Sequence, residues 1–483
     1  MTIDSTYAPA HVMARAVANG EVSAVELLQA HFDRIDAINP SINAVIWQCR
    51  KHAIKEAQAC DAERARGQLR GPLHGVPITV KESFDLAGSP TTWGYVPWKD
   101  NIRSEDSDAV ARYRQAGAVI VGKTNVPLHL VEWQSFNEIY GTTSNPWDAT
   151  RTPGGSSGGA AAALACGMSA LEVGSDIGSS IRNPAHYCGV YGLKPTWNVL
   201  SMQGHLPDGW YGDIDIGVGG PMARSAIDLD MAFRVLAGPS RFDASCWSLA
   251  LPDDTRHTLA DFTVAVMAGD NENPVDNTYL AALEQFSDQL EQAGATVIRD
   301  RLPEIDSELH FTTYLKLLGA ALCFGSSEAD IAALIEDVKD KAPEIQRVAG
   351  NRYAGMAMSH KEWLSVDNQR RMHRMAFDQF FADVDIILAP VCASAAFVKD
   401  EVGSSYQRYI EVNGAPQLEV MQLFWSGYSG VTGLPSVVGP MSELGGLPIG
   451  YQAIAGHGKD YTAIAFAKCV EHELIGFMPP QLD

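Results

Sequence analysis

Apolar positions recur along the chain at helical and strand periods in alternation. From Ser23 the pattern S-x-x-E (Ser23, Glu26) opens a stretch with Val25, Leu28, Phe32 and Ile35 on one face, and Asn39-Pro40 closes it, which predicts an amphipathic helix. A polar, helix-prone stretch follows around 50 to 68. Gly71-Pro72 then punctuates the chain, and Val76 to Val80 has the pattern of a short buried strand that ends at Lys81. The alternation continues with a helix over 107–116 and a strand over 118–121. Later come strands over 262–267, 295–298, 384–388, 434–438 and 448–454, and helices over 275–293, 363–382 and 460–473. Helix alternating with strand predicts an α/β protein. No repeat, heptad array or linker divides the chain, so one continuous core is expected. The stretch 240–400 is richer in polar helical pattern than the Gly-rich 150–220, which suggests a covering layer.

Composition narrows the classes. The 58 acidic and 36 basic residues give a formal charge of -22, which repels phosphate backbones and anionic head groups, so neither nucleic acid nor membrane is expected as a partner. The eight cysteines are scattered without a C-x-x-C pair, the start of the chain carries no signal-peptide pattern, and no run of eighteen apolar residues occurs. A cytoplasmic setting is expected. The 13 histidines show no metal-ligand spacing, and no metal or other cofactor is implied.

Candidate chemistry is concentrated in two Gly/Ser segments. Thr152 to Gly159 precedes a small-residue run, Ala160 to Gly167, suited to a closely packed helix. It lacks the G-K-[ST] ending of a phosphate loop. It does match G-x-S-x-G, but the residues before it, Asp148 to Pro153, form a turn pattern where an esterase elbow needs a strand. The second segment, Gly174 to Arg182, follows the short apolar Ala170 to Val173. Successive backbone N–H groups in such a turn can point into one concavity and stabilise an oxyanion, and Ser180 sits where that concavity closes.

These segments resemble the amidase signature enzymes. The resemblance is carried by Leu73 to Glu82, Gly122 to Asn125, Asn145-Pro-Trp147, 152–159, 174–182, Gly192 to Thr196 and Gly220 to Arg224. It is diffuse from there to Ile386 to Pro390 and returns at Thr432 to Pro435 and Gly446 to Gly450. Lys81, Ser156 and Ser180 stand 75 and 24 positions apart, which is similar to the family's spacing. The resemblance implies a single domain with a mixed, mostly parallel central sheet covered by helices on both faces. It divides into an N-terminal helical region (1–70), a signature core (71–225), a variable covering region (240–400) and a C-terminal return to the sheet (401–483).

It further implies that Ser180 is the nucleophile, Ser156 the proton relay and Lys81 the base, with a cis peptide at Gly155-Ser156. The oxyanion hole would be formed by the amides of Ile177, Gly178, Ser179 and Ser180. Lys81 alone would be read as an ordinary solvated lysine; as a base it must be buried enough to lose its charge. Gly155, Ser157, Asp176 and Arg182 are expected to support the site, the last two as a brace, and Glu82 to point away from Lys81. Many relatives carry glycine at the position of Ser179, so a positive φ there would strain this chain. Leu130 and Val131, by family alignment, and the loop aromatics Trp133, Tyr140 and Trp210 are expected to bind substrate. The implied activity is hydrolysis of carbon–nitrogen bonds in small-molecule amides, apolar or aryl amides or carbamates in particular (a urethanase-like activity), by an acyl-enzyme. A glutamine amidotransferase component, an esterase using Ser157 and a catalytically silent binding protein stay open, and a homodimer is compatible with the sequence.

Overall fold

Pro77–Lys81 is a β-branched run buried at every position. It pairs in parallel with Val119–Thr124, which runs antiparallel to Val45–Gln48. These strands form a small sheet in the computed structural model of the protein, which describes residues 6–207 and 209–482. The Ser23–Glu26 capping box opens the helix Ala24–Ile42. That helix runs past the expected stop at Pro40, because Asn39 accepts the amides of Ala44 and Val45 at 2.9 and 2.8 Å and satisfies the chain beyond it. Asn43, in the left-handed region, ends it.

The main sheet has eight strands in the order Thr296–Ile298, Thr263–Val266, Ile386–Ala389, Leu447–Ala455, Ser436–Leu444, Tyr191–Lys194, Val218–Ala223, Leu171–Asp176. Only the first two neighbouring pairs are parallel; the other five are antiparallel. The expected mostly parallel sheet is therefore corrected to a mixed, mostly antiparallel one. A buried apolar run marks a strand without marking its direction. The tight turn at Gly445 and Gly446, both at positive φ, folds the two longest strands into a hairpin.

Helices cover both faces, as the alternation of side chains along Leu447–Ala455 makes plain. Tyr451 stacks on Phe286 of Asn277–Gln292 and meets Phe466 of Asp460–Glu473 edge-on. The next residue, Gln452, turns to the opposite face and accepts from Arg182 at 2.9 Å. The stretch 240–400 is more than a cover, since three of its strands extend the main sheet. Its helices Ser307–Ala321 and Asn351–Met356 lie over the cavity at Ser180. No helix among the described residues is long and apolar enough to cross a membrane.

The small sheet places Lys81, and its packing leaves no slack. A Cβ on Gly122 would come within 2.1 Å of the Trp47 carbonyl oxygen on the neighbouring strand. Gly122→Ala is expected to cost about 1–3 kcal/mol, measured as a lower urea midpoint. An unchanged midpoint would show that the strand spacing has room to spare.

Candidate active site

Lys81 ends its strand with its side chain fully enclosed. Nζ donates to Ser156 Oγ at 2.7 Å, Ser157 Oγ at 2.9 Å and Ser175 Oγ at 2.9 Å. Burial pulls the group from its ordinary 10.5 to about 7, against the opposing fields of Asp176, Glu172 and Glu82. None of the three carboxylates touches Nζ. Glu82 points away and accepts the amides of Thr92 and Trp93 at 2.5 and 3.0 Å. Asp176 is held below the usual carboxylate range: burial alone would raise it, but the Arg182 guanidinium outweighs burial. The pair is bidentate at 3.0 and 2.9 Å with both side chains buried. Glu172 accepts from Thr79 and Thr124 at 2.7 and 2.9 Å, and burial pushes it up to about 8.

Ser156 and Ser157 lie in the first Gly/Ser loop, which is locked from outside. Asn183 donates to the Gly155 carbonyl at 2.6 Å and accepts the Gly155 amide at 3.0 Å, and Ser135 donates to the Gly154 carbonyl at 2.9 Å. The Gly155–Ser156 peptide is cis. Ser157 then starts the helix Gly158–Ala165, and its amide donates to the Ser180 carbonyl at 3.1 Å, tying the two loops together. Ser156 and Ser180 line one cavity. Among the described residues Ser180 Oγ has no hydrogen-bond partner, and Ser156 Oγ is bonded to Lys81 alone.

The second loop is arranged around Asp176, which collects the amides of Ser179, Ile181 and Arg182 at 2.9, 3.1 and 3.3 Å. Two carbonyls are pulled outward, Ile177 by the Tyr314 hydroxyl at 3.0 Å and Gly178 by Trp133 Nε1 at 2.8 Å. The amides of Ile177, Gly178 and Ser180 are left without an acceptor among the described residues. The Ser179 amide is not available as an oxyanion donor, which corrects that expectation. Ser179 does adopt the positive φ that favours glycine, +75°, and its buried hydroxyl has no partner.

The cavity has two lobes that share Leu130, Ile177, Ser180 and Leu322. One is walled by Val131, Trp133, Leu318, Val420 and Leu423 and ends at Arg352, Tyr406 and Glu419. The other carries Ser156 with Trp93, His129, Met202, His205 and Ile214. Leu130, Val131 and Trp133 line the first of these lobes, and Leu130 the second as well. Tyr140 and Trp210 line neither lobe, which corrects their assignment: Tyr140 packs near Thr92 and Glu82, and Trp210 stands half-exposed against Phe324. Sequence reasoning passed over Ser175, Glu172 and Arg352. A lone carboxylate inside an apolar strand was the available signal for Glu172; Arg352 lies where the motifs are diffuse.

Cys60, Glu63 and His74 lie within reach of one metal ion. Their ligand atoms are already engaged, His74 by the Arg70 amide and the Cys60 carbonyl and Glu63 by the Arg70 guanidinium.

The amidase family model matches residues 26–464. An indoleacetamide hydrolase of Bradyrhizobium diazoefficiens is 32% identical over 473 residues, covering 95% of this chain and 85% of that protein. A component of the glutamyl-tRNA(Gln) amidotransferase of Synechococcus sp. (strain CC9605) is 30% identical over 459 residues, 90% of each chain. A crystal structure of an amidase superposes with a TM-score of 0.78 at 27% identity, over 96% of this chain and 99% of that one. A lysine buried among serine hydroxyls and a family match across nearly the whole chain lead to one conclusion: this protein belongs to the amidase signature family and is an amidase acting on carbon–nitrogen bonds.

Proposed function

We propose that the enzyme hydrolyses apolar or aryl amides or carbamates through an acyl-enzyme on Ser180. The observation that carries this reading is the enclosed Lys81 amine, contacted by three serine hydroxyls and by no carboxylate. In its neutral form it can take a proton from Ser156, which in turn takes the proton of Ser180 as Oγ forms a bond to the substrate carbonyl carbon. The carbonyl π electrons move to oxygen, and the free amides of Ile177, Gly178 and Ser180 are available to receive that charge. Each such donor is commonly worth about 3 kcal/mol in the transition state. Collapse breaks the carbon–nitrogen bond as the leaving nitrogen takes a proton from Ser156, which Lys81 reprotonates; water then attacks the acyl group, giving its proton to the same relay, which returns one to Ser180 as the acid leaves. Ser157 and Ser175 hold the amine in place.

Since Ser156 delivers the proton to the leaving nitrogen and lines only the lobe with Trp93, His129 and His205, the amine departs through that lobe and the acyl group occupies the other. The apolar walls of both lobes, and the naming of the 32% identical relative for indoleacetamide, favour apolar or aryl substrates. A second reading, an amidotransferase component that draws on glutamine, is favoured by the 30% identical relative.

Lys81→Ala and Ser180→Ala are each expected to lower kcat by at least about a thousandfold with the circular dichroism of the parent retained. Near-parental turnover by Lys81→Ala would refute the relay. The base works only when neutral, so kcat/KM is expected to be low below pH 7, to rise through the value of about 7 set by Lys81, and to level off above it. A profile flat from pH 5 to 9 would exclude Lys81 as the titrating group. Across acetamide, glutamine, anilides, aryl carbamates and aryl esters, anilides and carbamates are expected to lead, with intact mass showing acylated Ser180. Glutamine turned over far faster than the rest would establish the second reading instead.

A further inference from the structure

The acyl lobe has apolar side walls and a polar far end, where Arg352 stands beside Tyr406, Glu132 and Glu419. Arg352 reaches the lobe from the helix Asn351–Met356 and donates through Nη1 to the Tyr406 hydroxyl at 2.6 Å. Its enclosed Nε–H has no acceptor, and among the described residues Arg352 makes no ion pair. Glu132 and Glu419 line the same end and turn to Arg408, and one Glu419 oxygen keeps no partner. Arg408, itself buried, bonds Glu419 at 2.9 Å and also bonds Glu132. The Tyr406 hydroxyl accepts from Arg352, which leaves its own proton free to donate. The backbone that carries Arg352 is closely packed: a Cβ on Gly319, across the helix interface, would come within 2.0 Å of the Arg352 carbonyl oxygen.

A guanidinium largely withdrawn from water whose Nε–H has no acceptor is costly unless something else supplies one. Nothing in the relay described above uses it, since it lies at the end of the lobe that Ser156 does not line. We propose that Arg352 and Tyr406 form an acyl-recognition subsite that grips an acceptor oxygen, a carboxylate above all, at the far end of an otherwise apolar acyl group. The preferred substrates are then amides whose acyl chain carries a terminal carboxylate, with the apolar stem lying along Leu318, Val420 and Leu423. Such a carboxylate meets the planar donor fork of Arg352 and the hydroxyl of Tyr406, a geometry that a lysine or a neutral wall does not offer.

This assignment rests on the acyl-enzyme reading, and the test separates the two. Anilides with straight acyl chains of graded length, each ending in a carboxylate, a methyl ester or a methyl group, are compared by kcat/KM. At the best length the carboxylate is expected to exceed the methyl-ended chain by about tenfold or more, with the ester between them. In Arg352→Met that ratio should fall to about one, and in Tyr406→Phe it should fall part of the way. Arg352→Lys, which keeps the charge without the fork, should retain part of the ratio and covers the case in which the methionine variant fails to fold. A wild-type preference for the methyl-ended chain at every length, or a ratio unchanged in Arg352→Met, would overturn the proposal. If no anilide is hydrolysed at all, the proposed preference for aryl amides fails separately. Calorimetry of the carboxylate-ended anilides on the Ser180→Ala protein then still decides the subsite, binding tighter than the methyl-ended chains supporting it and equal binding overturning it.

Discussion

An amine removed from water, with hydroxyls rather than carboxylates for neighbours, is the constraint around which the site is built. Moving Lys81 from 10.5 to about 7 corresponds to a bias on the order of 5 kcal/mol toward the neutral amine. That bias survives only if every nearby carboxylate is kept from contact. Asp176, which exerts the strongest opposing field, is engaged by Arg182 and by three backbone amides. Glu82 is turned toward the amides of Thr92 and Trp93. Glu172 is driven toward its neutral form by the same burial that discharges the lysine, which weakens the field it exerts on the amine. Several structural details of the two loops follow from this one requirement.

The same arrangement gives Asp176 a role although it bonds neither Lys81 Nζ nor the hydroxyl of Ser156 or Ser180. By collecting the amides of Ser179, Ile181 and Arg182 it decides which amides of the loop remain free. Tyr314 and Trp133 complete the sorting by pulling two carbonyls outward, and both come from elements outside the loop itself. Ser179 holds its place with an unfavourable φ and an unmatched hydroxyl, which fits a segment whose shape is dictated by function rather than by local preference.

What could be seen in the sequence divides along physical lines. The helix Asp460–Glu473 and the strands around Lys81 and in the C-terminal hairpin were visible because period and apolar runs are local properties. The two Gly/Ser loops were visible because their chemistry is packed into a few consecutive residues. Strand direction was not, since a buried run of Val, Ile and Ala looks the same whichever way its neighbour runs. Tyr140 and Trp210 looked like pocket residues because they are aromatic and lie near loops, a property shared by side chains that pack elsewhere. Arg352 was hidden for the opposite reason: on a polar helix an arginine has the pattern of a solvated face, and only the position of that helix over Ser180 gives it meaning.

The net charge of the whole protein and the guanidinium at the end of the acyl lobe differ in sign and act over different ranges. A net charge of -22 works through solvent and is screened within about 8–10 Å at ordinary ionic strength, so it affects how readily an anionic substrate arrives. Arg352 acts across a hydrogen bond inside an apolar lobe, where screening is weak, so it affects how well the substrate is held. A terminal carboxylate is then mildly disfavoured on approach and strongly favoured once seated.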